Sequence, residues 1–251
     1  MIVDAHAHLG YDYTFDEEFA EAELLASQRD NGINVTLVQP GTAHDLRTAQ
    51  AQHDAIADLA RRHPGRFHGI ANPSPYLPEK EYTREVRRCV RDLGFRGVKL
   101  HPYAHGVNPL GRSGRRVFTL ADELGLPVMV HTGSGLPWSA PSLLGPIAAE
   151  HPQLKIVAAH AGGMMMAGEA GLLAAQHDNV CLEPSWVGGF VVREWVRRLG
   201  PQRIMFGSDH ADNAAAELVK LRSADLSEEE LSWVLGRTAA VVFGLTWEEA
   251  R

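Results

Sequence analysis

Cysteine is scarce in this chain: its 251 residues include two, Cys89 and Cys181. Two thiols build no disulfide framework, so the fold must rest on its core. Long apolar runs are lacking too. No stretch approaches the roughly 20 residues that span a bilayer, and no segment has the apolar region of a secretory signal. The expectation is a cytoplasmic protein without a membrane contact. Excess positive charge is also missing: 24 Lys and Arg stand against 31 Asp and Glu, a formal net charge of −7. That argues against a nucleic-acid partner and an anionic membrane surface. There is no linker, repeat or low-complexity segment, so residues 1–251 are expected to form one domain. Tyr and Trp number five each, but histidine reaches 13, and the placement of the histidines carries the argument.

Short apolar runs alternate with longer helical patterns. The runs that read as strands are Ile2–Ala5, Ile33–Gln39, Arg66–Ala71, Gly97–Leu100, Pro127–Val130, Lys155–Ala159, Val180–Leu182 and Arg203–Phe206. Between them the helical stretches are Phe15–Asp30, Leu46–Arg62, Glu79–Leu93, Gly114–Leu124, Ser142–His151, Gly168–His177, Phe190–Leu199 and Asn213–Leu221. Turn signals such as Asn31-Gly32, Gly94, Gly125 and Gly200-Pro201 precede many of the strands. Ile156-Val157-Ala158-Ala159 is apolar throughout, the pattern of a strand buried on both faces. Eight βα units at this length predict an α/β fold, a (β/α)8 TIM barrel, with a doubly wound open sheet as the alternative. Ser227–Arg251 reads as two extra C-terminal helices, one stopped by Gly244.

Near the start stands Asp4-Ala5-His6-Ala7-His8. On a strand, residues two apart share a face, so His6 and His8 can aim two imidazoles at one point, as one divalent metal requires. Barrel active sites lie at the C-terminal ends of the strands. The later runs close on Lys99 and His101, then His131, His160, Glu183 and Asp209. Each run ends on a group able to bind metal or move a proton, whereas His53, His63, His151 and His177 fall on helices or helix ends.

In these motifs the chain resembles the amidohydrolase superfamily, in the branch that includes aminocarboxymuconate-semialdehyde decarboxylase and uncharacterised metal-dependent hydrolases. The resemblance runs from the His6-Ala7-His8 motif to Gly207-Ser208-Asp209. It implies that His6, His8, His131 and Asp209 hold one divalent metal and that His160 stands beside it as a catalytic residue. The expected cofactor is zinc, with manganese as the alternative. Gly236-Arg237-Thr238 departs from the Gly-Asn-Ala-like segment usual in the family.

Chemistry fits these roles. A metal-bound water is acidified, Asp209 can take its proton, and His160 can stabilise an oxyanion or shuttle a proton. Lys99 has three readings: a carboxylated bridge between two metals, an ammonium that binds a substrate carboxylate, or a structural ion-pair partner. Asp4 reads as a buried support for the histidines. His101, Glu183 and Trp186 are candidate substrate contacts, and Tyr11, Tyr13, Tyr103 and Trp138 add aromatic surface to the loops.

The leading expectation is a hydrolase that attacks a small amide, lactone or ester with metal-activated water, Asp209 acting as base and catalyst. The second is a non-oxidative decarboxylase using the same site on an aromatic or enol acid. A purely structural metal is the third, disfavoured because such sites are closed and usually rich in cysteine. The partner expected is a small-molecule substrate, with self-association left open.

Overall fold

A computed structural model describes residues 1–246. Eight strands form one sheet: β1 (Val3–Asp12), β2 (Glu17–Phe19), β3 (Val35–Pro40), β4 (Phe67–Ala71), β5 (Gly97–Leu100), β6 (Val128–His131), β7 (Ile156–Ala159) and β8 (Val180–Glu183). Their order is β2-β1-β3-β4-β5-β6-β7-β8. All neighbours run parallel except β1 and β2, which form an antiparallel hairpin. Helices fill the crossovers between the parallel strands.

The sheet curls into a TIM barrel. The expected eighth strand, Arg203–Phe206, is replaced by a short extended segment that carries single bonds to each side. Met205 N–H donates to Leu182 O at 3.0 Å, and Ala5 N–H donates to Phe206 O at 3.0 Å. Those bonds close the barrel between β8 and β1. The next residue must be glycine, because a Cβ at Gly207 would stand 2.8 Å from both the Glu183 and His6 side chains.

Alternation along the strands sorts two cores. On β7, Ile156 and Ala158 join the layer between sheet and helices, while Val157 and Ala159 join the barrel interior. Both faces are therefore apolar, as the unbroken run predicts. Ala239, Phe243 and Leu245 pack with the interior residues Val3, Val35 and Cys181. On β5, Val98 and Leu100 belong to the outer layer, so Lys99 faces inward although it is only 1% exposed.

Three expectations change. Strand one does not stop at Ala5 but continues to Asp12, with a register irregularity between Asp4 and Ala7. The helix expected over Phe15–Asp30 begins only at Glu21, because residues 10–19 fold back as a hairpin. Asp12 Oδ1 sets that turn by accepting the Thr14 and Phe15 N–H groups at 2.8 and 3.0 Å, a local bond that competes with helix. At the other end, Ser227 opens a capping box, and one helical stretch runs from Glu228 to Val242 through a π turn at Trp233–Arg237. Gly244, at φ +62°, follows it. The second C-terminal helix expected from the sequence falls largely on 247–251, outside the described residues. Among the described residues no helix is long and apolar enough to cross a membrane.

Candidate active site

His6 and His8 lie on β1, and the local irregularity in the strand falls at His6, as bulges beside active sites do. His6 Nε2 is 3.3 Å from His8 Nε2, and Asp209 Oδ1 is 3.4 Å from each. Asp209 reaches this point from the barrel-closing segment. Its backbone is left-handed, φ +65°, and its N–H donates to His6 O at 2.7 Å.

Glu183, the last residue of β8, sits behind His6 and is fully buried. Its Oε2 accepts from His6 Nδ1 at 2.7 Å, which turns the His6 Nε2 lone pair toward His8, Asp209 and Lys99. The same oxygen accepts the His160 N–H at 3.2 Å and the Ser185 hydroxyl at 3.0 Å, while Oε1 accepts the Ser185 N–H at 2.6 Å. Ser185 Oγ in turn lies 2.8 Å from His160 Nδ1. The Ser185 proton points at Glu183, so His160 carries its own proton on Nδ1. Glu183, expected as a substrate contact, is not among the cavity-lining residues and lies behind His6, bonded to its Nδ1.

Asp4 supports the same corner. Its Oδ1 accepts the His6 and Ser208 N–H groups at 3.1 and 2.9 Å, and its Oδ2 accepts the Ser208 hydroxyl at 2.6 Å. Burial raises its pKa to about 7, against the pull of those bonds.

The remaining residues close a cavity of about 230 Å³ lined by His6, His8, Lys99, His101, His131, His160 and Asp209. Asp12, Phe15, Glu17, Phe19 and His210 add to the wall. Lys99 Nζ is 3.1 Å from His6 Nε2. Burial lowers the Lys99 pKa to about 8, with Asp209 and Glu183 pulling the other way. His131 does not join the atoms that converge at His6, His8 and Asp209; its ring stacks on His101 at 4.1 Å and 15°. His101 Nδ1 accepts the Ala104 N–H at 3.1 Å, so its other nitrogen carries the proton as a donor. Trp186 stands at the rim and donates Nε1–H to Asp209 Oδ2 at 2.8 Å. Of the other aromatics, Tyr103 stacks on Phe15 at 5.6 Å, while Tyr11 packs on Tyr13 and Trp138 is partly exposed, and none of Tyr11, Tyr13, Tyr103 and Trp138 lines the cavity.

Burial keeps the imidazoles neutral. His6, His101 and His131 are held well below their ordinary pKa by desolvation first, then by the neighbouring imidazoles and Lys99. His160 is lowered to about 4 for the same first reason. For Asp209 burial acts to raise the pKa, but the surrounding histidines win and hold it well below the usual carboxylate range. Neutral imidazoles and an ionised carboxylate are the protonation states a metal needs. The spacing fits as well: ligands about 2.1 Å from a tetrahedral ion stand about 3.4 Å apart, close to the 3.3–3.4 Å found among His6, His8 and Asp209.

A second group of potential ligands, His53, Glu85 and Cys89, lies away from the cavity. His53 is bonded on both ring nitrogens, to Glu85 and to the Asn72 N–H, and Arg88 forks onto Glu85. Its donors are spent on tying helix Leu46–Arg62 to the end of β4.

Sequence reasoning missed Ser185 and the hairpin residues Asp12, Phe15, Glu17 and Phe19. The hairpin was hidden by its helix-like composition; Asp12 two residues before Thr14 was the available signal of a turn.

A family model described as Amidohydrolase matches residues 3–245. Among curated proteins, 2-amino-3-carboxymuconate-6-semialdehyde decarboxylase of Dictyostelium discoideum is 28% identical over 146 residues, covering 50% of this chain and 40% of that protein. Gamma-resorcylate decarboxylase of a Rhizobium species is 27% identical over 163 residues, covering 52% and 50%. The matches thus span about half or less of those relatives. Among solved structures, 5-carboxyvanillate decarboxylase of Novosphingobium aromaticivorans, complexed with manganese and 4-hydroxy-3-methoxy-5-nitrobenzoic acid, superposes with a TM-score of 0.78 at 16% identity, over 98% of this chain and 96% of that one. The enzyme of the same name from Sphingomonas paucimobilis gives 0.75 at 18% identity, over 98% and 99%. At such identities the structural likeness speaks for the fold.

Proposed function

The chain belongs to the amidohydrolase family, and from that premise we propose that it is a metal-dependent, non-oxidative decarboxylase of a small aromatic or enol carboxylic acid. The observation that carries this reading over hydrolysis is the state of Asp209. Its Oδ1 faces His6 and His8, and its Oδ2 accepts the Trp186 indole N–H at 2.8 Å with His210 3.5 Å away. A base for attacking water needs a free, basic oxygen. This carboxylate is engaged on both sides, by the Trp186 indole on one oxygen and by His6 and His8 on the other. The names of the curated relatives point the same way.

The cavity of about 230 Å³ is smaller than the usual range for drug-sized ligands and suits a single ring. His6, His8 and Asp209 would hold the ion, with His131 from the same cavity proposed as a further ligand. A bound divalent ion would supply Lewis-acid stabilisation of charge developing on the substrate. Manganese is the first ion to test, because it occupies a structural relative; zinc is the second.

The chain's own groups divide the remaining work. Lys99 supplies a buried cation to pair with the substrate carboxylate, and His101 offers a ring N–H to a substrate oxygen. The carbon–carbon bond to the carboxylate breaks, its electron pair stays on the remaining carbon, and carbon dioxide leaves. One proton then takes its place. His160, whose Nδ1–H is held by Ser185, has its other ring nitrogen to take up and deliver that proton.

The test is a panel of monocyclic aromatic and enol acids with the manganese- or zinc-loaded protein in deuterium oxide. Decarboxylation releases carbon dioxide and leaves one deuterium on the vacated carbon. His160→Asn should keep the metal and lower the rate on the order of 10² to 10⁴. Amide, lactone or ester cleavage that places solvent oxygen in a new carboxylate would return the protein to the hydrolases.

A further inference from the structure

We infer that Trp186 is a positioning residue for the metal site, pinning one oxygen of Asp209 so that the other alone faces His6 and His8. This rests on the metal-site reading and holds whether the chemistry is decarboxylation or hydrolysis.

The first support is geometric. The Trp186 indole donates to Asp209 Oδ2 at 2.8 Å, while Oδ1 lies 3.4 Å from both imidazole nitrogens. A carboxylate with one oxygen tied to a donor is restrained in its rotation and biased to meet an ion with the other.

The second is backbone strain. Trp186 has φ +65° and Asp209 also has φ +65°. Only glycine occupies that region at no cost, and a bulky aromatic there is an outlier that the surroundings must impose. The surroundings do so. Glu217 Oε1 accepts the Trp186 N–H at 3.0 Å, and Glu217 is itself buried and paired with Lys220. Lys220 Nζ also donates to Pro184 O at 2.8 Å, clamping the loop that carries Trp186.

The third is that burial does not account for the side chain, which is 51% exposed. A half-exposed tryptophan held in a left-handed conformation with its only polar atom on Asp209 is placed for that bond. His210 also nears Oδ2, at 3.5 Å, but its ring is shared with Glu17 and Phe19. Trp186 is thereby moved from the expected substrate contacts to the support of a ligand.

The experiment titrates manganese and cobalt into metal-free Trp186→Phe and Trp186→His, beside the unaltered protein. Phenylalanine keeps the ring and removes the donor; histidine restores a ring N–H. Trp186→Phe should bind metal on the order of ten- to a hundredfold more weakly. It should change the visible cobalt spectrum, as Asp209 turns, while the metal-free protein melts as before. Trp186→His should recover part of the affinity. Affinity within about twofold of the unaltered protein, less than the usual effect of such a partner, with the same cobalt spectrum, would overturn the proposal. Should the variants not fold, the unaltered protein decides it. The Trp186 indole N–H resonance must move when zinc is added, and a resonance that stays in place overturns the inference.

Discussion

His6 Nδ1 and Glu183 Oε2 are 2.7 Å apart, and neither side chain is exposed to solvent. That bond fixes the tautomer of a candidate ligand from behind. Four donors converge on the same carboxylate: His6, the Ser185 hydroxyl and the N–H groups of His160 and Ser185. Glu183→Gln puts an amide NH₂ where an acceptor is needed, whichever way it turns. The expected result is metal affinity lower by about ten- to a hundredfold and stability lower by about 1–3 kcal/mol. Metal titration and urea unfolding measure the two. An unchanged affinity would mean that Glu183 leaves His6 to orient itself.

Acid should weaken the metal-free protein well above the carboxylate range. His6, His53, His101, His105, His131 and His160 are all lowered, first by burial, and His105 and His160 fall to about 4. Unfolded, each takes up a proton near its ordinary 6.5; folded, it resists. Below about pH 6.5 the unfolded chain binds more protons, so stability falls as pH falls toward the folded values. Asp4 opposes this. Raised to about 7 by burial, it keeps a proton in the folded chain that the unfolded chain releases, so its contribution is lost as pH rises from about 4 toward 7. Glu217, also raised by burial, acts in the same sense as Asp4, and six groups outweigh two. Urea midpoints measured from pH 7 to pH 5 should decline steadily, and a flat or rising series would contradict the buried-neutral assignment.

The barrel was legible because its strands are short, apolar on both faces and punctuated by turn signals. Ile156-Val157-Ala158-Ala159 is the clearest case, each residue committed to one of two cores. The cavity residues on the strands were legible for the same reason: a titratable side chain that ends an apolar run has only the barrel mouth to occupy. What stayed hidden depends on contacts between distant residues. Nothing local marks Ser185 as the link between His160 and Glu183, or Gly207 as the position where any Cβ would strike His6 and Glu183. The hairpin was misread because Phe15–Asp30 has helical composition, and a side-chain bond from Asp12 decides otherwise. The family resemblance implied His131 as a fourth ligand. Strand position brings it to the cavity, but ring orientation is set by stacking on His101.

Lys99 carries the last prediction. Its amine lies 3.1 Å from His6 Nε2, inside the barrel and 1% exposed. An ammonium there competes with a metal cation for the same lone pair and repels it at short range. Two positive charges a few ångström apart in a partly buried site interact by on the order of 1–4 kcal/mol. Asp209 and Glu183 offset part of this. Lys99→Gln removes the charge and keeps much of the length. Metal should then bind more tightly, by about tenfold on that scale, while the acid substrate binds more weakly because the cation for its carboxylate is gone. The two effects have opposite signs, which separates the three roles of this lysine. A carboxylated lysine bridging two ions would make the substitution lose metal, with the unaltered protein taking up two equivalents. A structural ion-pair lysine would lower stability and leave the substrate KM unmoved. Metal titration, intact mass and KM on the same preparation decide among them.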